Sequence, residues 1–94
     1  MRTLVWSPGF ARDAKRLARR NPELRDRLEQ ALKRLAQDPF DPALHTHKLK
    51  GGLAGTWACT VDYDNRVIFG FSPNPQSSEE DILLLTVGTH DEVY

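Results

Sequence analysis

SPGFARDAKRLARRNPELRDRLEQALKRLAQDP, residues Ser7 to Pro39, carries one signal twice: a small polar residue followed at once by proline, at Ser7-Pro8 and again at Asn21-Pro22. A side-chain oxygen at the N-cap accepts from the first unpaired backbone N–H groups, and a proline at the first helical position forfeits no hydrogen bond. Each pair therefore reads as a helix start. Phe10, Ala14, Leu17 and Ala18 then recur at helical spacing, with Arg12, Lys15, Arg16, Arg19 and Arg20 largely on the other faces. In the second segment the apolar stripe is Leu24, Leu28, Ala31, Leu32 and Leu35, and Asp38-Pro39 ends it. The stretch is a helical hairpin with one apolar side to bury.

Working outward, Thr3–Trp6 is short, β-branched and aromatic, which suits a strand before the hairpin. After it, residues 39–55 shift to Pro, Gly, His and Lys, with Leu44, Leu49 and Leu53 as apolar anchors, and read as a loop laid over the core. Thr56–Val61 and Arg66–Phe71 are strand-like runs around the turn-rich Asp62-Tyr63-Asp64-Asn65, so they predict a β-hairpin. Residues 73–80 form a polar loop, and Asp81–Val87 is apolar enough for an internal strand buried on both faces. Neither a helix nor a sheet buries its apolar side alone. The fold class expected is α+β: an N-terminal strand, a helical hairpin, then a three-stranded antiparallel meander, with the helices on one face of a four-stranded, largely antiparallel sheet. The other face is expected to be free for function, with Trp57, Arg66, Phe69 and Phe71 on it.

A chain of 94 residues supports one core, so residues 1–94 are expected to form a single domain. The single cysteine excludes an internal disulfide, and a reducing compartment is expected. No segment of residues 1–40 has the pattern of a signal peptide, and the longest apolar run, Ile82–Leu85, is far too short to cross a bilayer. The expectation is a soluble, cytoplasmic protein. Its net charge of zero conceals a division: residues 1–50 carry twelve Lys or Arg against six acids, and residues 51–94 carry Arg66 against seven. Such a split points to nucleic acid or a charged partner, or to helices with solvated basic faces.

Histidine is the side chain suited to proton transfer near neutrality, and His45, His47 and His90 all fall outside the predicted helices and strands. Zinc ligation by His45, His47 and His90 with Cys59 lacks any standard ligand spacing, and Cys59 mid-strand reads as a buried thiol. Gly51, Gly52 and Gly55 lack the strand-to-helix setting of a phosphate loop, and no serine sits in a nucleophile elbow. Arg66 is the single Lys or Arg after Lys50. Its role is either a salt bridge to Asp62 or Asp64 across the turn or a planar donor fork for a phosphate.

The order of strand, basic helical hairpin, HKLKGGLAG (residues 47–55), hairpin with DNRVIF (residues 64–69) and LLLTVGTHDEVY (residues 83–94) resembles the RelE/ParE superfamily of type II toxin–antitoxin toxins, nearest the YafQ-like branch of the RelE-type mRNA interferases. The resemblance covers the whole chain, and the G-T-H and E-V-Y elements of the ending are its most specific part. It implies a RelE-like fold, a cognate antitoxin that wraps the toxin, operator DNA contacted only through that antitoxin, and no membrane. It also implies cleavage of ribosome-bound mRNA in the A site, by attack of the ribose 2′-OH on the adjacent phosphate, without metal or cofactor. By similarity to YafQ-like enzymes, His47, Asp64 and His90 are the candidate catalytic residues. By similarity to RelE they are joined by Arg66 and Tyr94. The expected division makes His47 and His90 an acid–base pair, Arg66 the phosphate stabiliser, Asp64 an orienting group and Tyr94 an RNA contact, with Lys48, Lys50 and Trp57 as further RNA-binding residues.

The chain departs from the branch at three positions: it has Ala58 and Thr60 where relatives carry an acid and a further histidine, and Thr86 where they carry arginine. It is also neutral where such toxins are usually basic, so reduced nuclease activity is compatible with the sequence. Two other readings stay open: a ParE-like gyrase-inhibiting toxin, and a catalytically weak binding module that acts with its antitoxin as a co-repressor.

Overall fold

A computed structural model describes residues 1–51 and 55–93. Strand β1 (Leu4–Trp6) leads into helix α1 (Pro8–Arg20) and helix α2 (Pro22–Gln37). A 3₁₀ turn (Pro42–Leu44) follows, then strands β2 (His47–Lys48), β3 (Trp57–Thr60), β4 (Asn65–Ser72) and β5 (Asp81–Thr89), and a short helix α3 (His90–Val93). No helix among the described residues is long and apolar enough to cross a membrane.

Both helix starts form as their residues require. Ser7 Oγ accepts from the Phe10 N–H at 3.1 Å. Asn21 Oδ1 accepts from Glu23 N and Leu24 N at 3.1 and 3.3 Å, while the Asn21 N–H donates to Leu17 O. Asn21 thus closes α1 and opens α2 in a single residue, so the hairpin has a one-residue connection.

The sheet has five strands in the order β1-β5-β4-β3-β2, one more than expected. The addition, β2, is two residues long, pairing His47 with Ala58 and Lys48 with Trp57. A strand of that length has no alternation to read, which is why the loop reading of residues 39–55 missed it. β1 lies parallel to β5 and the other pairings are antiparallel. β5 is internal as expected, but its faces differ: Ile82, Leu84 and Val87 are buried, whereas Leu83 and Leu85 are half-buried. Along β4 and β5 the register passes from Ile68↔Thr86 to Phe69↔Leu84, leaving Leu85 as the extra residue of a β-bulge.

The helices cover one face. Phe10, Leu17, Leu28 and Leu35 pack with Cys59, Val67, Phe69, Ile82 and Leu84, and Trp57, Val61 and Phe71 flank them. Successive strand residues point to opposite faces, so Arg66 stands on the other side from Val67, Phe69 and Phe71. The expectation that Trp57, Phe69 and Phe71 share the free face with Arg66 is therefore corrected. Trp57 meets Phe40 and Phe71 edge-on, at ring distances of 5.3 and 6.1 Å, on the helix-covered side.

Leu35 has no exposed surface. Replacing it with alanine removes three buried carbons and leaves a cavity, so Leu35→Ala is expected to lower unfolding free energy by roughly 2–5 kcal/mol. Exposed Gln30→Ala on the same helix changes it by less than about 0.5 kcal/mol. Urea titrations of the two variants decide this. Burial pushes the Cys59 thiol from 9.0 up to about 12, against the opposing pull of the Val67 backbone and the Arg66 charge. The folded thiol therefore keeps its proton where the unfolded one loses it. Its stabilising contribution is full below pH 9 and falls as pH rises toward about 12. Native protein at pH 8 is expected to resist alkylation by iodoacetamide, and Cys59→Ala to flatten the alkaline loss of stability.

Candidate functional site

The β3–β4 turn is built around one oxygen. Asp62 Oδ1 accepts from Asp64 N at 2.9 Å, Asn65 N at 2.8 Å and Asn65 Nδ2 at 3.0 Å. The first two are bonds of the kind by which Asx side chains fix tight turns. The third satisfies Asn65, the one buried polar or charged residue among those described, at 8% exposure.

The same turn holds Arg66. Its Nη1 donates to the carbonyls of Asp62, Tyr63 and Asn65 at 2.7, 3.0 and 3.0 Å. The salt bridge to Asp62 or Asp64, one of the two roles open to Arg66, does not form: no carboxylate among the residues whose side chains are described pairs with Arg66. Carbonyl oxygens hold the guanidinium instead, and they orient it without cancelling its positive charge. With Nη1 engaged, the planar edge formed by Nε and Nη2 is the part left to meet a ligand.

An open groove lies beside it, lined by Tyr63, Asp64, Asn65, Arg66, Thr89 and His90. The register explains the meeting: Arg66 pairs with Gly88 and Asn65 with Thr89, so the end of β5 delivers His90 next to the turn. His90 is the exposed first residue of α3, not a loop residue as expected. Asp64 and Tyr63 are exposed on the turn.

Other expected site residues lie elsewhere. His47 is on β2, exposed, with Nδ1 3.2 Å from the His45 carbonyl. Its pairing with Ala58 puts it on the Arg66 face, but three strand spacings, roughly 14 Å, separate β2 from β5. His47 does not line the groove with His90. Lys48 and Lys50 are exposed at the same edge. Tyr94, with Leu53, lies outside the described residues. No group of three or more His, Cys, Asp or Glu among the described residues is placed to hold a metal ion.

The three departures are structurally distinct. Ala58 is fully buried, and Thr60 is the direct cross-strand partner of Arg66. Thr86 Oγ1 donates to Asp13 Oδ2 on α1 at 2.7 Å, and Asp13 Oδ1 accepts from Arg16 at 3.1 Å. Thr86 thus ties the bulged strand to α1. The residue that sequence reasoning overlooked is Asp62, treated there as one of several turn acids. The D-x-D-N-R spacing held its signal, since an aspartate three residues before an asparagine is placed to cap a turn.

Comparison with characterised protein sequences gives no significant match. Residues 2–94 match the family described as the bacterial toxin of the type II toxin–antitoxin system, YafQ. The fold is similar to that of YafQ from Escherichia coli strain BL21(DE3), with a TM-score of 0.77 at 19% identity, covering 100% of this chain and 99% of that one. It is similar to a metal-bound toxin from Helicobacter pylori, with a TM-score of 0.78 at 28% identity over the whole of both chains. The E. coli DinJ–YafQ toxin–antitoxin complex matches with a TM-score of 0.74 at 19% identity, over 99% of this chain and 97% of that one. With the family matched from Arg2 to the last residue, this chain belongs to the YafQ family of bacterial type II toxin–antitoxin toxins.

Proposed function

We propose that the protein is a ribosome-dependent mRNA endoribonuclease, held inactive by a cognate antitoxin as YafQ is joined to DinJ in the related complex. The observation that carries this is the Arg66 guanidinium, anchored through Nη1 by carbonyls and not by Asp62 or Asp64, beside a groove that also holds His90 and Asp64.

In the reaction a base takes the proton of the ribose 2′-OH, whose oxygen attacks the adjacent phosphorus. The bond to the 5′ oxygen breaks as that oxygen receives a proton, leaving a 2′,3′-cyclic phosphate and a 5′-OH. Negative charge builds on the phosphoryl oxygens, where the Nε–Nη2 edge of Arg66 supplies two parallel donors. Base and acid must both reach one phosphate. His90, Asp64 and Tyr63 are the described groove residues able to exchange protons there, and His90 and Asp64 are assigned the two roles. His47, with Lys48 and Lys50, grips the RNA strand further along the sheet face instead of sharing the phosphate. Tyr94 stacks on or hydrogen-bonds the RNA from the end of the chain. Trp57 is left to packing. No step calls on a metal or cofactor.

The separation of His47 from the groove, with Ala58 and Thr60 in place of ionisable groups, favours one other reading: a weakly catalytic toxin acting mainly in complex with its antitoxin. Purified chain, programmed ribosomes and a defined mRNA distinguish the two. Wild type is expected to cut within the A-site codon, and Arg66→Ala and His90→Ala each to lower kcat by about a hundredfold or more. His47→Ala is expected to raise KM with little change in kcat. Intact mRNA with wild type overturns the nuclease reading. A His47→Ala loss confined to kcat returns His47 to the reacting phosphate.

A further inference from the structure

We propose that Asp62 is the positioning residue of the site, setting the direction of the Arg66 fork through a single carboxylate oxygen and without pairing with its charge. This deepens the nuclease reading and rests on it.

The geometry is a two-stage linkage. Asp62 Oδ1 gathers Asp64 N, Asn65 N and Asn65 Nδ2, and so fixes the path of the backbone from Asp62 to Asn65. That path turns the carbonyls of Asp62, Tyr63 and Asn65 toward one point, where Arg66 Nη1 sits. Three carbonyl dipoles on one amine orient the guanidinium plane without cancelling its charge. A carboxylate in the same place would neutralise it and compete with the phosphate. Asn65 O is shared further, accepting from Val61 N at 3.0 Å, which ties the turn to the end of β3.

A flexible Arg66 would lose this at once, because its long side chain has many rotamers and an exposed turn confers little rigidity by itself. Asp64 depends on the same oxygen, since its own N–H is one of the three donors. Asp62 thereby sets two groove residues while touching no substrate.

Since one oxygen takes all three donors and the charge pairs with nothing described, an amide should serve as well as a carboxylate. Asp62→Asn keeps an acceptor in place, whereas Asp62→Ala leaves three donors without one. The test uses the whole chain with three readouts: cleavage on programmed ribosomes, thermal midpoint, and the Arg66 Nε–Hε NMR resonance during titration with inorganic phosphate. Asp62→Ala is expected to lower kcat about a hundredfold, the scale of a misplaced catalytic group, and to lose the phosphate response of Arg66. Asp62→Asn is expected to stay within about threefold of wild type in both. Equal loss in Asp62→Asn would overturn the proposal by showing that charge is what matters. So would a phosphate response and cleavage that survive in Asp62→Ala. Should Asp62→Ala also melt early, the phosphate response is read well below its midpoint, where a persisting Nε–Hε shift still overturns the proposal. A wild type that cleaves no mRNA, yet loses its phosphate response only in Asp62→Ala, sinks the nuclease reading and supports the positioning role.

Discussion

β5 is hydrogen-bonded along both edges, and the architecture follows from that double pairing. On one side it meets β4 in antiparallel register from Ser72↔Asp81 to Asn65↔Thr89. On the other it runs parallel to β1, with Leu4 beside Ile82. A parallel neighbour cannot be reached by a tight turn, so the chain must leave the sheet between them, and α1 and α2 occupy the first part of that excursion. The apolar residues Ile82, Leu84 and Val87 give the helices something to cover. Because the β1–β5 contact joins the two ends of the sequence, the core closes only when the last strand arrives. Loop closure over such a separation is entropically costly until the strand–strand contacts form. The groove inherits this dependence, since His90 is the residue that follows β5.

The turn at Asp62–Asn65 solves a different problem. On the proposed reading Arg66 must be oriented for a phosphate but not neutralised, and burial of polar groups is tolerated only when each finds a partner. Asn65 is buried and satisfied by Asp62, while Arg66 is held by carbonyls. The single oxygen of Asp62 therefore serves the stability of the hairpin and the direction of the guanidinium together. On that reading stability and function are coupled through the same few hydrogen bonds, as expected where a loop carries function on a rigid scaffold.

What the sequence made legible is local. Helix starts at Ser7-Pro8 and Asn21-Pro22 are decided by side chains within three residues of the backbone groups they satisfy, and the apolar stripe of α2 repeats often enough to read. The family resemblance rested on order along the chain and on the ending, and the family match over residues 2–94 bears it out. What stayed hidden is relational. Two residues of β2 have no period. The bulge at Leu85 shifts the register of β5 against β4, and Thr86 is committed to Asp13 on α1. Even the face of Arg66 was readable by counting, since 66 differs in parity from 69 and 71, yet the shared aromatic character of the hairpin drew Phe69 and Phe71 to the wrong side. The distance between His47 and His90 depends on strand order, which alternation does not encode.

A net charge of zero is a weak argument against an RNA-binding groove once the charges are placed. Glu79 faces the amino terminus and Arg2 at 3.9 and 3.7 Å, at the end of the sheet where Ser72 pairs with Asp81. From Arg66 to Ser72 is six residues of β4, roughly 20 Å at strand rise. That exceeds the Debye length of about 8 Å at physiological salt, so those acids contribute little to the potential at the groove. On α1 the one acid, Asp13, is engaged by Thr86 and Arg16, while Arg12, Lys15, Arg19 and Arg20 are exposed. Arg20, Thr89 and Asn65 line a common cleft, and Thr89 and Asn65 also line the groove. The basic helix therefore adjoins the site, Asp62 and Asp64 stand at the turn itself, and Glu79, Glu80 and Asp81 stand at the far end. An RNA backbone responds to that local field and not to the sum over the chain.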